Sequence, residues 1–226
     1  MPIIDLTQTI EHGMVGFRLM DANGVPTDFT ATVEPFLTHA QSAPNYAPGT
    51  SFEVSQVSFQ TNIGTYLDAP SARFEGAADI ADIDLSSLIL DGIVIDARHC
   101  TPDAPLTVDA LPPADQLTGR AVLICFGWDK HWGTPAYKVL PYVDRDALAY
   151  LHEAGIALFG VDTQNADSPN DPERPAHTWF LGDGIHVVEN LTGLAALLGL
   201  RFRFFAIPTK VRGAVAFPIR AFAEAD

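Results

Sequence analysis

The chain has 226 residues, 47% of them hydrophobic and 18% charged, which suits a soluble α/β domain with a substantial core. Twenty-eight Asp and Glu stand against 13 Lys and Arg, a formal charge of −15. A surface that acidic repels phosphate backbones and anionic lipid, so nucleic-acid and membrane partners are disfavoured, whereas a local pocket still admits a small-molecule substrate.

Met1-Pro2-Ile3-Ile4-Asp5 has neither a basic n-region nor an apolar h-region, and no apolar run approaches a membrane span, so the expected location is the cytoplasm. The stretch from Met14 to Thr27 carries no clear signal. Phe52 to Phe59 alternates imperfectly and predicts a strand with one apolar face. Gly92 to Asp96 and Ala121 to Phe126 are short apolar runs of the buried-strand kind. Cys100 and Cys125 form no CxxC pair and read as two reduced thiols.

Asp144 is placed to cap a helix over Arg145 to Ala154, closed by Gly155. Ile156 to Val161 then reads as a buried strand, giving a β-loop-α-β unit that favours parallel pairing. Ile185 to Val188 and Arg203 to Ile207 are further strands, with a helical stretch around Leu191 to Leu198 between them. No linker, charge run or repeat marks a boundary, so residues 1–226 are expected to form one mixed α/β domain.

Three acid-base residues merit attention on their own chemistry. Asp68, before Ala-Pro, reads first as a turn residue. His177 precedes an apolar helical stretch, where capping or core packing is the ordinary role. Glu189 follows three apolar strand residues, and a buried carboxylate there is costly without a partner. No GxSxG elbow, GxGxxG fingerprint or P-loop is present.

Asn62-Ile63-Gly64-Thr65-Tyr66-Leu67-Asp68-Ala69-Pro70-Ser71-Ala72 resembles the HxGTHxDxPxH signature of the cyclase family, which includes kynurenine formamidases and isatin hydrolases. Gly127-Trp128-Asp129 is similar to the family's GWD loop. Gly160-Val161-Asp162-Thr163-Gln164-Asn165-Ala166-Asp167 is similar to its GxDxxSxD segment, with Asn165 at the usual Ser. His177 and Glu189-Asn190-Leu191 match its later His and ENL, and Arg212-Gly213 and Pro218-Ile219-Arg220 match its tail. The resemblance implies a mixed α/β domain of the swivelling β/β/α type, homodimeric or homotetrameric, that hydrolyses an amide or lactam C–N bond.

The resemblance also implies two metal sets, and this chain departs from the first. Asn62 and Tyr66 stand where two ligand histidines belong, and Ala72 where a proton-transfer histidine belongs. Amide oxygen is a weak zinc ligand, and a phenol must ionise to become a good one, so that set is expected to be empty. Asp68, His177 and Glu189 keep the second set, as catalytic residues and as ligands for at most one Zn²⁺ or Mn²⁺ per chain. Asn62, Tyr66, Trp128 and His131 are the candidates for substrate contact. The alternatives are a metal-independent lyase or ring-closing enzyme with His177 as base, or a non-catalytic small-molecule binder.

Overall fold

The computed structural model describes residues 2–20 and 22–226. In chain order its strands are β1 (Ile3–Asp5), β2 (Val15–Met20), β3 (Pro26–Thr30), β4 (Thr32–Leu37), β5 (Val54–Ser58), β6 (Tyr66–Asp68) and β7 (Ile89–Asp96). They continue as β8 (Ala121–Cys125), β9 (Leu158–Val161), β10 (His186–Glu189), β11 (Phe202–Phe205), β12 (Ala216–Pro218) and β13 (Phe222–Ala225). The α-helices are α1 (His39–Ser42) and α2 (Arg145–Glu153). Two compact units result, Met1–Gln8 with Gly64–Asp226, and Thr9–Ile63.

The larger unit is built on one sheet in the order β1-β13-β11-β7-β8-β9-β10-β6-β12. Its centre, β7 to β10, is parallel, and the strands outside it are antiparallel. The apolar run of β8 is buried on both faces, as the centre of a covered sheet requires. Alternation divides it: Leu123 and Cys125 join one core, Val122 and Ile124 the other. The expected parallel pairing holds, with Leu123 opposite Gly160. A Cβ on Gly160 would lie 2.7 Å from Leu123 Cδ2 and 2.9 Å from Leu191 Cδ1, so only glycine lets these side chains meet across β9.

Helix α2 contributes Ala147, Leu148 and Leu151 to the second core. Asp144 occupies the N-cap position with extended backbone, but its side chain makes no capping bond. Gly155 follows with φ 69°, the left-handed conformation that ends the helix. The helical stretch expected after Leu191 contracts to a 3₁₀ turn at Leu194–Leu197, whose Leu194 and Leu197 point into the first core. Cys100 and Cys125 are free and buried, and burial pushes the Cys125 thiol up to about 12, which keeps it unreactive.

The smaller unit holds two antiparallel hairpins, β2–β3 and β4–β5. The anticipated one-sided burial of the strand near Phe52 to Phe59 is not found, since every residue of β5 is exposed. Among the described residues no helix is long and apolar enough to cross a membrane.

Candidate active site

Strand alternation brings the site's acids together. On β10, Val188 packs into the first core and Val187 into the second, so Glu189 shares the side of Val187. On β6, Leu67 belongs to the first core, which turns Tyr66 and Asp68 to the opposite side. The antiparallel register sets Glu189 opposite Tyr66 and Val187 opposite Asp68. Over this face lies a single π-helical turn, Ala176–Phe180, anchored by Ala176 and Phe180 in the second core. His177 projects from it. Such turns are rare and concentrate at functional positions, because the extra residue per turn redirects a side chain.

Asp68, His177 and Glu189 therefore offer ligand atoms all within 4.8 Å of one another. His177 Nε2 lies 3.2 Å from Glu189 Oε1 and 3.8 Å from Asp68 Oδ2. Its other nitrogen, Nδ1, donates to Asp167 Oδ2 at 2.6 Å. Asp68 and Glu189 are 3% and 2% exposed, which leaves their charges to be matched locally. The two oxygens of Glu189 differ: Oε2 accepts the Tyr66 hydroxyl, whereas Oε1 is buried and faces His177 Nε2. Burial alone would lower the His177 pKa, but the charge of Glu189 and the bond to Asp167 outweigh it and carry the imidazole up to about 10.

Asp167 is the residue whose role the sequence left unassigned, although it lies in the GxDxxSxD-like segment. It is fully buried and also accepts the Ala176 N–H at 2.7 Å, so it ties the π turn to the loop after β9. Burial would raise its pKa, but the bond from His177 leads a group of interactions that hold it below the usual carboxylate range. Arg174 reaches the same loop, donating to Asn165 Oδ1 at 2.8 Å and pairing with Asp167 Oδ2 at 3.4 Å. Its backbone is left-handed, φ 51°, a conformation costing about 1–3 kcal/mol in a non-glycine residue and retained here by that docking.

A second network fixes the end of β10. Asn190, with φ 59°, donates through Nδ2 to Gly64 O at 2.7 Å and accepts the Tyr137 hydroxyl at 2.8 Å. Its carbonyl accepts Thr65 Oγ1 at 2.6 Å. Thus the Gly-Thr of the motif grips the residue beside Glu189. Asp162 accepts the N–H groups of Phe126 at 2.9 Å and Gly127 at 2.7 Å, shaping the turn after β8. Burial pushes its pKa up to about 7, against those two bonds.

Trp128 and His131 lie on that turn, their rings 4.7 Å apart. Asp129 between them accepts Thr192 Oγ1 and Gly193 N–H, both at 2.9 Å, so the turn is fastened just beyond Glu189. The Trp128 indole N–H is buried with no hydrogen-bond partner. Asn62 belongs to the smaller unit.

The Cyclase family model matches residues 4–168, which takes in the motif, the Trp128 turn and Asp167. Similarity to curated proteins extends the match. A kynurenine formamidase of Geobacillus thermodenitrificans (strain NG80-2) is 29% identical over 178 residues, 78% of this chain and 82% of that protein. One of Polaromonas naphthalenivorans (strain CJ2) is 28% identical over 177 residues, 77% of this chain and 76% of that protein. Isatin hydrolase A from Labrenzia aggregata superposes with a TM-score of 0.82 over 98% of this chain and 93% of that one, at 20% identity. Isatin hydrolase A from Ralstonia solanacearum gives 0.79 over 98% and 91%, at 23% identity. The chain belongs to the cyclase family and is a hydrolase of that family.

Asp167→Asn tests how His177 is held. An amide in place of the carboxylate presents N–H to Nδ1 and favours the tautomer with hydrogen on Nε2. In the metal-free protein imidazole ¹⁵N NMR is expected to report loss of the Nδ1 proton in the variant, and activity is reduced about 10–100-fold. An Nδ1 proton retained in the variant would show that Asp167 does not hold it.

Proposed function

We propose that the protein hydrolyses an amide or lactam C–N bond of a small molecule, using one divalent cation on Asp68, His177 and Glu189. The observation that carries this reading is the convergence of Asp68, His177 and Glu189, whose ligand atoms lie within 4.8 Å of one another with Glu189 Oε1 3.2 Å from His177 Nε2. Two carboxylates and one imidazole suit Zn²⁺ or Mn²⁺, and three protein ligands leave positions open. Charge supports the same reading. Two buried carboxylates flank His177 Nε2, at 3.2 Å and 3.8 Å, and a divalent cation supplies the positive charge such a pair favours.

When bound, the cation supplies Lewis-acid activation at the carbonyl or the attacking water. The chain's own residues prepare for this. Asp167 holds the Nδ1 proton, so that Nε2 presents its lone pair once it gives up its own proton. Tyr66 and the Asn190 network fix the direction of Glu189. Water adds to the carbonyl carbon, the C–N bond breaks, the nitrogen takes a proton, and an acid and an amine are released. Trp128 and His131 are proposed to form an aromatic wall for the substrate, and Tyr66 to make a polar contact with it. The metal-independent alternative asks His177 to act as a base, and a pKa near 10 keeps the free imidazole protonated at neutral pH.

Two measurements check this. Elemental analysis of protein incubated with Mn²⁺ or Zn²⁺ is expected to give a single ion per chain. In His177→Ala that ion is lost, together with hydrolysis of a panel of N-acyl arylamines and aromatic lactams. An active, metal-free His177→Ala would contradict the proposal. Because the cation displaces a proton from an imidazole of pKa about 10, apparent affinity is expected to rise about tenfold per pH unit through neutrality, levelling above that pKa. A pH-independent affinity would contradict displacement. In the metal-free protein the raised His177 pKa works the other way. Its stabilisation is complete below the ordinary imidazole value of 6.5 and is lost as pH rises through about 10.

Association into a homodimer or homotetramer is proposed on the β4–β5 hairpin, which exposes Phe36 (71%), Val57 (50%) and Val54 (42%). Light scattering is expected to give a multiple of the chain mass, lowered by Phe36→Glu with Val57→Glu. A monomeric wild type would remove this part of the proposal.

A further inference from the structure

We infer that Tyr66 is the positioning residue that confines this centre to one cation. The inference rests on the reading of Asp68, His177 and Glu189 as a cation site. Tyr66 is 8% exposed and directly opposite Glu189 in the β6–β10 register. Its hydroxyl donates to Glu189 Oε2. That bond divides the carboxylate, with Oε2 capped by the Tyr66 hydroxyl and Oε1 paired with His177 Nε2 at 3.2 Å.

A carboxylate held in this way ligates through one oxygen. A donor hydrogen bond on the second oxygen withdraws electron density from it and so disfavours bidentate chelation and bridging to another ion. While it donates to Glu189 the phenol keeps its proton, and a protonated phenol is a poor ligand for a second cation. Asp167 performs the corresponding task for His177 from the other side. Two ligands are thus oriented by residues that do not bind the ion, and such partners govern affinity about 10–100-fold. Packing alone would need only the ring, which phenylalanine supplies equally well.

The test is a Mn²⁺ titration of wild type, Tyr66→Phe and His177→Ala, read by elemental analysis and by the electron paramagnetic resonance of bound Mn²⁺. Thermal melts of the metal-free proteins accompany it. Wild type is expected to bind a single Mn²⁺ per chain and His177→Ala none. Tyr66→Phe is expected to bind about 10–100-fold more weakly, with an altered Mn²⁺ line shape and a near-native melt. Equal affinity and line shape in Tyr66→Phe would overturn the positioning role and leave the cation site standing. Two ions per wild-type chain would overturn the one-cation limit, and none would overturn both inference and site. Should Tyr66→Phe fail to fold, Zn²⁺ titration of wild type followed by tyrosine difference absorption replaces it. A saturable change absent from His177→Ala supports the role, and a silent spectrum overturns it.

Discussion

Two carboxylates buried on the same side of a sheet must be matched by positive charge, and much of the larger unit serves that requirement. Asp68 and Glu189 sit where solvent does little to screen them, and His177 Nε2 lies within ion-pair distance of both. A buried acid pair with one imidazole between them has two ways to approach neutrality, a proton on the imidazole or a cation in its place. The first explains why the His177 pKa is high despite burial. The second fits the convergence of Glu189 Oε1, Asp68 and His177 Nε2 on one point, with the other oxygen of Glu189 held by Tyr66. The same geometry thus makes a stable resting state and a site that exchanges a proton for a metal ion.

The sheet and the loops divide this work. The parallel centre from β7 to β10 is ordinary in its packing, with apolar residues alternating into two cores, and it supplies a rigid floor. The acids enter at its margin, where β10 meets antiparallel β6 and alternation turns Tyr66, Asp68 and Glu189 to one side. Apart from Tyr66 on β6, what orients them comes from irregular backbone: the π turn carrying His177, the left-handed Arg174 and Asn190, and the turn held by Asp162. Strain and unusual turns are tolerated here because the buried hydrogen bonds to Asp167 and Asn190 over-determine the local conformation.

Much of the fold was legible in the sequence because it rests on short-range pattern. The apolar runs at Gly92 to Asp96, Ala121 to Phe126 and Ile156 to Val161 lie on central strands, and the intervening helix ends at Gly155 as read. The strand at Val54–Ser58 was visible too, but its exposure was not, since alternation says which residues share a face and not whether anything covers it. Asp144 stands at a helix start without capping it, because position is encoded locally and side-chain direction is not.

For the site, the grouping of Asp68, His177 and Glu189 was legible from motif order, and the structure brings the three together. Asp167 was in view but without a task, because nothing in linear spacing shows that its carboxylate turns back to a histidine ten residues on. Tyr66 was legible as a departure from the pattern at a ligand position. Its partner was not, since a contact between strands 123 residues apart depends on their register. Trp128 and His131 were visible as a cluster, and their fastening through Asp129 to Thr192 and Gly193 comes from long-range pairing alone.

The most direct test of the central claim is anomalous diffraction at the manganese edge from crystals grown with Mn²⁺. One strong peak per chain is expected, in contact with Asp68, His177 Nε2 and Glu189 Oε1, with Tyr66 still bonded to Glu189 Oε2. A peak elsewhere, a second peak on the far side of Glu189, or none at full Mn²⁺ saturation would contradict that claim.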